Sequence, residues 1–261
     1  MGYFKALMIG GVIALAILVG ALVLVSMNGG DGDDGGSTAT PSSVTEQPSS
    51  TAGGETAAGT ATAAPTFAPG SEEVALDVPE AGGSAPLAAG NYRAARFRPE
   101  AHFALQDGWS VAFDGARFVH LFRGDDAGAN CVCLINPDGV FDDNGGERQP
   151  LPGGGTVDDL IDWLTANANL KTSNPSSLQV GNLSGRQLDV EVQSGVVPVD
   201  EVEYLSAGDQ RFKVVSGERQ HLTVLDFRGS PLIIAQRSPA AEYNGYFTFV
   251  EQIVGSLTFS N

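Results

Sequence analysis

The feature that most constrains this chain is a run from Ala6 to Val25 with no charge and no strongly polar side chain. Twenty residues rising 1.5 Å each make a helix about 30 Å long, the thickness of a bilayer's hydrocarbon core. A secretory signal peptide competes with that reading. Its apolar stretch is shorter, about 7–15 residues, and ends in a small-x-small cleavage site. Here the run exits through Leu24-Val25-Ser26-Met27-Asn28, a poor cleavage match, and no cysteine precedes Cys131 to serve as a lipidated N-terminus. The reading is an uncleaved transmembrane anchor over residues 1–27, with the membrane as partner through residues 6–25. Lys5 and the N-terminal amine precede the helix, so the N-terminus is expected in the cytoplasm and everything after Met27 outside the cell membrane.

Residues 28–89 are rich in Gly, Ser, Thr, Ala and Pro, contain no Lys or Arg, and carry nine acidic residues. Too little apolar surface is available there to offset the entropy of ordering, which predicts a disordered acidic linker. As a flexible coil it would span about 45 Å, enough to lift a domain off a membrane. The whole chain has net charge −17, from 14 basic and 31 acidic residues. That argues against nucleic-acid binding, which needs basic density on one face. Two cysteines exclude both a disulfide-built miniprotein and a four-cysteine zinc site.

Residues 90–261 have the mixed pattern of one packed, extracytoplasmic domain. Phe103, Leu105, Trp109, Val111 and Phe113 alternate around Asp107-Gly108, which predicts a hairpin pairing 102–106 with 109–113. Phe118–Phe122 and Cys131–Ile135 read as further strands about a Gly124–Gly128 turn. The period then changes. Thr156 precedes two aspartates as a helix N-cap, and Val157, Leu160, Ile161 and Leu164 fall on one helical face. Strands return at 187–192, 211–215, 221–227 and 232–236, the last two joined at Arg228-Gly-Ser-Pro231. A final helix over 240–254 is expected to bury Phe247, Val250 and Val254. The order predicts an α+β fold: an antiparallel β-sheet with two packed helices.

Particular residues add a resemblance. Gly90-Asn-Tyr92, Phe97-Arg-Pro99 and Phe103-Ala-Leu-Gln-Asp-Gly-Trp109 resemble the opening of anchored or lipidated bacterial envelope proteins. Val180-Gly-Asn-Leu-Ser-Gly185 is similar to their glycine turn before a central strand, and Val224–Gly229 and Val254–Phe259 fit as well. The pattern resembles the PsbP/Mog-like α/β sandwich of the PsbP photosystem subunit, the Mog-type Ran-binding proteins and LpqN-like lipoproteins. The resemblance covers the whole domain, but its motifs are turn glycines, a core tryptophan and helix faces. It implies an accessory or binding role and transfers no catalytic residue.

Chemistry-bearing motifs are few. Cys131 and Cys133 share one face of a strand with Cα atoms about 6.5 Å apart, near the upper limit for a disulfide. Three readings stand open: buried small hydrophobes, a strained and redox-active disulfide, or two ligands of a soft metal. The last needs further donors, and only His102, His120 and His221 could add imidazole. The acidic stretch Asp138, Asp142, Asp143, Asn144 and Glu147 lacks the EF-hand order and reads as a solvated loop. Gly153-Gly-Gly155 is followed by Asp158 and Asp159 rather than Gly-Lys-Ser/Thr, so no phosphate cradle is expected. Ser184 lacks the nucleophile-elbow glycine. Arg93, Arg96 and Arg98 form the one basic cluster, read as paired surface charge beside a core Phe97. The expectation is a membrane-anchored binding or accessory domain for an envelope protein or small molecule, with no catalytic residue, cofactor or metal. The alternative is a thiol–disulfide redox protein using Cys131 and Cys133.

Overall fold

A computed structural model describes residues 72–78, 83–125, 128–142, 146–195 and 200–260. The expected anchor over 6–25 and most of the 28–89 linker lie outside them. Among the described residues no helix is long and apolar enough to cross a membrane.

In chain order the elements are β1 (Glu73–Ala75), β2 (Ala85–Leu87), β3 (Gly90–Ala94), β4 (Glu100–Leu105), β5 (Trp109–Asp114), β6 (Phe118–Arg123), β7 (Cys131–Ile135) and β8 (Gly139–Val140). There follow α1 (Val157–Ala166), β9 (Leu170–Thr172), β10 (Ser176–Val180), β11 (Leu183–Val192), β12 (Glu201–Ala207), β13 (Gln210–Val215), β14 (Glu218–Phe227), β15 (Ser230–Pro239), α2 (Tyr243–Ser256) and β16 (Thr258–Ser260). A nine-stranded sheet runs β10-β11-β14-β15-β7-β6-β5-β2, with β9 also paired to β11. A four-stranded sheet, β1-β3-β4-β16, and a three-stranded sheet, β13-β12-β8, complete the domain. All pairings are antiparallel except β1 with β3. The domain is therefore mostly antiparallel β-structure with two helices, as the sequence order implies.

The central strands β7 and β15 of the nine-stranded sheet are buried on both faces, and Cys131–Ile135 and Leu232–Ala235 accordingly read as continuous apolar runs. On one face Trp109, Val111, Leu121, Val132, Leu134 and Ile234 pack with Tyr246, Val250 and Ile253 of α2 and with the β3–β4 strands. On the other, Phe122, Ile135, Leu188, Leu222, Val224 and Ile233 pack with Leu160, Ile161 and Leu164 of α1 and with β12 and β13. Each of the three α1 side chains is at most 2% exposed, worth about 1.5–3 kcal/mol apiece. The Thr156 hydroxyl accepts from the Asp159 amide at 3.2 Å, and the Asp159 carboxylate accepts from the Thr156 amide, closing the capping box.

Three expectations need correction. The Asp107-Gly108 turn does not join a hairpin: β4 pairs with β3 and β16, while β5 pairs with β2 and β6. Gly108 does take a positive φ of 91°, but the Asp107 carboxylate accepts from the Ala89 amide at 2.8 Å, pinning the turn as a corner between two sheets. Phe103, Leu105, Trp109 and Val111 are all buried in the core where those sheets meet. The folded part also begins before residue 90. β1 and β2 fall inside the stretch read as linker, because Leu76 is 8% exposed in the core and Ala85 and Leu87 pack against it. In α2 the buried residues are Tyr243, Tyr246, Val250 and Ile253, while Phe247 and Val254 are half-buried. The Arg228-Gly229 turn does join a hairpin, pairing β14 with β15 over ten residue pairs.

Candidate functional site

Two cavities among the described residues are lined by side chains with polar atoms that the fold buries and does not satisfy. The first is built by strand register. On β7, Cys131 and Cys133 point to the same face, and antiparallel pairing sets His120 of β6 opposite Cys133. On the other side of β7, β15 sets Ala235 opposite Cys133 and Arg237 opposite Cys131. The ligand atoms of His120, Cys131 and Cys133 all lie within 4.8 Å of one another. Both cysteines are free thiols, 2% and 9% exposed. They border a cavity of about 210 Å³ shared with Phe118, Tyr204, Gln220 and Arg237.

Tyr204 enters this cavity through a β-bulge. The β12–β13 register shifts between Glu203 and Leu205, leaving Tyr204 as the extra residue, so that Val202 and Tyr204 before the shift and Leu205 and Ala207 after it all reach the core. Its hydroxyl donates to Gln220 Oε1 at 2.5 Å, and Gln220 Nε2 donates to the Lys213 carbonyl at 2.7 Å. Arg237 is clamped by Glu218 through two bonds of 2.8 and 2.7 Å. Burial works against the Arg237 charge, and the Glu218 carboxylate outweighs it.

The two thiols are unequal. A hydrogen bond from Cys133, opposed by burial and supported by His120 and Arg237, pulls the Cys131 thiol down to about 5. The same bond, with burial and the Cys131 charge, pushes Cys133 well up. Cys131 is therefore the thiol that ionises first.

The histidines differ in the same way. His102 has Nδ1 2.7 Å from Glu73 Oε1 and Nε2 2.9 Å from Ser260 Oγ. His221 has Nδ1 2.8 Å from Asp189 Oδ1 and Nε2 3.3 Å from Gln187 Oε1. Nε2 of His120 is buried and has no hydrogen-bond partner. Of the three imidazoles weighed from sequence, only His120 reaches the cysteines.

The second place is a pocket of about 670 Å³ at the start of α2. It is lined by Gly108, by Arg123, Gly124 and Asn130 from the β6–β7 connection, and by Glu242, Gly245, Tyr246 and Phe249. Nη1 of Arg123 and the Tyr246 hydroxyl are both buried without a hydrogen-bond partner. Burial, foremost, pushes the Tyr246 phenol up, so it remains a donor. The Arg123 guanidinium lies 3.6 Å over the Phe249 ring, which is 38% exposed. Glu242 occupies the N-cap of α2 without a capping bond and instead accepts from Asn130 Nδ2 at 3.0 Å. The first turn of α2 holds no acidic residue, although the Glu242 carboxylate at its N-cap shares the pocket lining. Sequence reasoning missed this pocket, since Arg123 and Tyr246 are far apart in the chain and belong to no motif.

The acidic stretch is spent on structure. Asp138 accepts from the Ser206 hydroxyl and the Gly208 amide and pairs with Arg148 at 2.9 Å. Asp142 accepts from Trp163 Nε1 at 3.0 Å. Asp143 and Asn144 lie outside the described residues. In the basic cluster Arg93 pairs with Glu100, Arg98 donates to the carbonyls of Ala95 and Phe97, and Phe97 is fully buried.

No protein-family model and no curated protein matches the chain. Among solved structures it is similar to a cyanobacterial PsbP (CyanoP) from Synechocystis sp. PCC 6803, with TM-score 0.33, 9% identity, and coverage of 70% of this chain and 96% of that one. It is also similar to a protein from Bacteroides thetaiotaomicron VPI-5482, with TM-score 0.34, 12% identity, and coverage of 62% of this chain. The match spans 45% of that second protein's length. Likeness at this level bears on neither site nor ligand.

Proposed function

We propose that this chain is a membrane-anchored, extracytoplasmic binding protein whose PsbP-like head holds a small organic acid with an apolar body. The observation that carries the reading is the pairing of buried, unpartnered Arg123 Nη1 and Tyr246 hydroxyl on one pocket. An unmet guanidinium N–H is costly, and a carboxylate is the group that repays it best. The positive end of the α2 dipole favours the same charge, the Glu242 carboxylate is held by Asn130, and the Phe249 ring offers an apolar wall. The pocket's volume falls in the range of small-molecule sites. The apolar run over 6–25 and the polar stretch after it support a head held outside the membrane.

Trp109 reports on occupancy, because its ring centroid lies 6.1 Å from that of Tyr246. In the full chain carrying Trp163→Phe, 3-phenylpropionate should change Trp109 emission saturably, and phenethylamine should not. Arg123→Met should weaken the acid at least about tenfold. Equal response to acid and amine, or unchanged affinity in Arg123→Met, would remove the proposal.

A thiol–disulfide activity is the second reading, favoured by the inequality of the two thiols, one pulled down and the other pushed up. Their burial works against it, since exchange needs an accessible sulfur. Replacing both cysteines by serine separates the readings. A binding protein keeps its response to phenylpropionate, whereas a redox protein loses turnover of glutathione disulfide.

A further inference from the structure

We propose that His120, Cys131 and Cys133 form a three-coordinate site for a single Cu(I) ion. The inference is independent of the acid pocket, which involves other residues.

Three observations carry it. The donor atoms already stand within 4.8 Å of one another. A trigonal metal with bonds of about 2.3 Å to sulfur and slightly less to nitrogen sets its donors about 4 Å apart. Closing onto the ion thus takes a shift of under about 1 Å, within reach of side-chain rotation. Secondly, Nε2 of His120 is buried with no partner, while the other two histidines engage both ring nitrogens. A buried imidazole nitrogen without a partner is destabilising unless something binds it. Thirdly, the polar side chains that face the cavity from within the fold are committed elsewhere: Tyr204 to Gln220, Gln220 to Lys213, and Arg237 to Glu218, while Gln210 sits at its exposed rim.

The choice of ion follows from the donors. Two sulfurs and one imidazole are soft ligands that select Cu(I), zinc or iron–sulfur chemistry. Zinc takes four ligands and would need a water or an outside donor to complete its shell beside these three. Cu(I) is content with three. On binding, each cysteine coordinates as its thiolate, and any proton still held passes to solvent as the Cu–S bond forms. The site then carries one net negative charge from two thiolates and one monovalent cation. Arg237, opposite Cys131 in the sheet, lies beside that charge.

The test uses the full chain in lipid nanodiscs, reduced with ascorbate under anaerobic conditions and titrated with Cu(I) against bathocuproine disulfonate. One equivalent should bind, and X-ray absorption of the loaded wild-type protein should show two sulfur and one nitrogen scatterers. His120→Phe should weaken binding by more than about 100-fold, since losing a direct ligand exceeds the about 10–100-fold cost of losing a partner that merely supports one. Cys131→Ser should abolish stoichiometric binding. The absorption spectrum of the wild type keeps the test decisive should either variant fail to fold. Absence of stoichiometric copper, scatterers of oxygen and nitrogen alone, or displacement of Cu(I) by equimolar Zn(II) would each overturn the site. So would copper retained by a folded Cys131→Ser variant.

Discussion

The two faces of the nine-stranded sheet are equally dry but handle their polar atoms differently. Beneath α2, the face that holds Trp109 leaves a guanidinium N–H and a phenol unmet at the edge of an open pocket. Beneath β12 and β13, the opposite face leaves one imidazole nitrogen unmet beside two thiols in a smaller cavity. Other buried polar groups are unmet as well, among them both Asp114 carboxylate oxygens and Gln236 Oε1, but these residues border neither cavity, and many polar side chains are tied into networks. Asp189, for example, accepts from the Tyr243 hydroxyl at 2.8 Å and pairs with His221. The contrast teaches that where unsatisfied atoms belong to the lining of a cavity, their chemistry indicates which ligand would suit it. A guanidinium beside a protonated phenol calls for an acid, and soft donors for a soft cation.

The comparison breaks most violently at Trp109. Truncation to Ala removes a fully buried ring and should cost about 3–5 kcal/mol in chemical denaturation. If the variant stays folded, it should lose the acid pocket with Tyr246's support and retain copper on the opposite face. Loss of both together would show that the two faces are one site energetically.

The next largest effect is a crossed pair. Arg123→Met should weaken phenylpropionate at least about tenfold, about 1.4 kcal/mol, and leave the copper affinity alone. His120→Phe should do the reverse. Fluorescence titration and bathocuproine competition on the same samples read both.

Smaller still, Thr156→Ala opens the capping box of α1 and should lower stability by about 1 kcal/mol without touching either ligand. The smallest effect concerns acid. His221's hydrogen bond, opposed by burial and aided by Tyr243, holds the Asp189 carboxyl below the usual carboxylate range. A folded-state value below the unfolded one contributes stability that is complete above about pH 4 and is lost as pH falls through the folded value. Asp189→Asn should therefore shrink the difference in denaturation midpoint between pH 7 and pH 3. An unchanged difference would deny Asp189 that role.

Much of the scaffold could be read without coordinates. The α1 face, its cap, the β14–β15 hairpin and the strands flanking the cysteines follow from period and turn chemistry, which are local. The corner at Asp107-Gly108 was misread because alternation shows which face is buried but not which strand lies alongside. Here both neighbours of the turn found better-buried partners in different sheets. The cluster at Cys133 was half legible. Both strands and the turn between them were visible, but not the register. A turn centred one half-step earlier, on Asp126, would set Val132 rather than Cys133 opposite His120. That shift would send the imidazole to the face away from both thiols.

From its order of residues alone the chain specifies an apolar run fit for a bilayer, a polar spacer, and a β-rich domain with two helices, because hydropathy and periodicity act over neighbouring residues. Only the tertiary structure decided which polar atoms stay unpaired. Arg123 meets Tyr246, and His120 meets Cys131, through strand pairing and helix docking across long stretches of chain. That choice belongs to the packed whole, since a buried group's partners are whatever the folded neighbours bring to it.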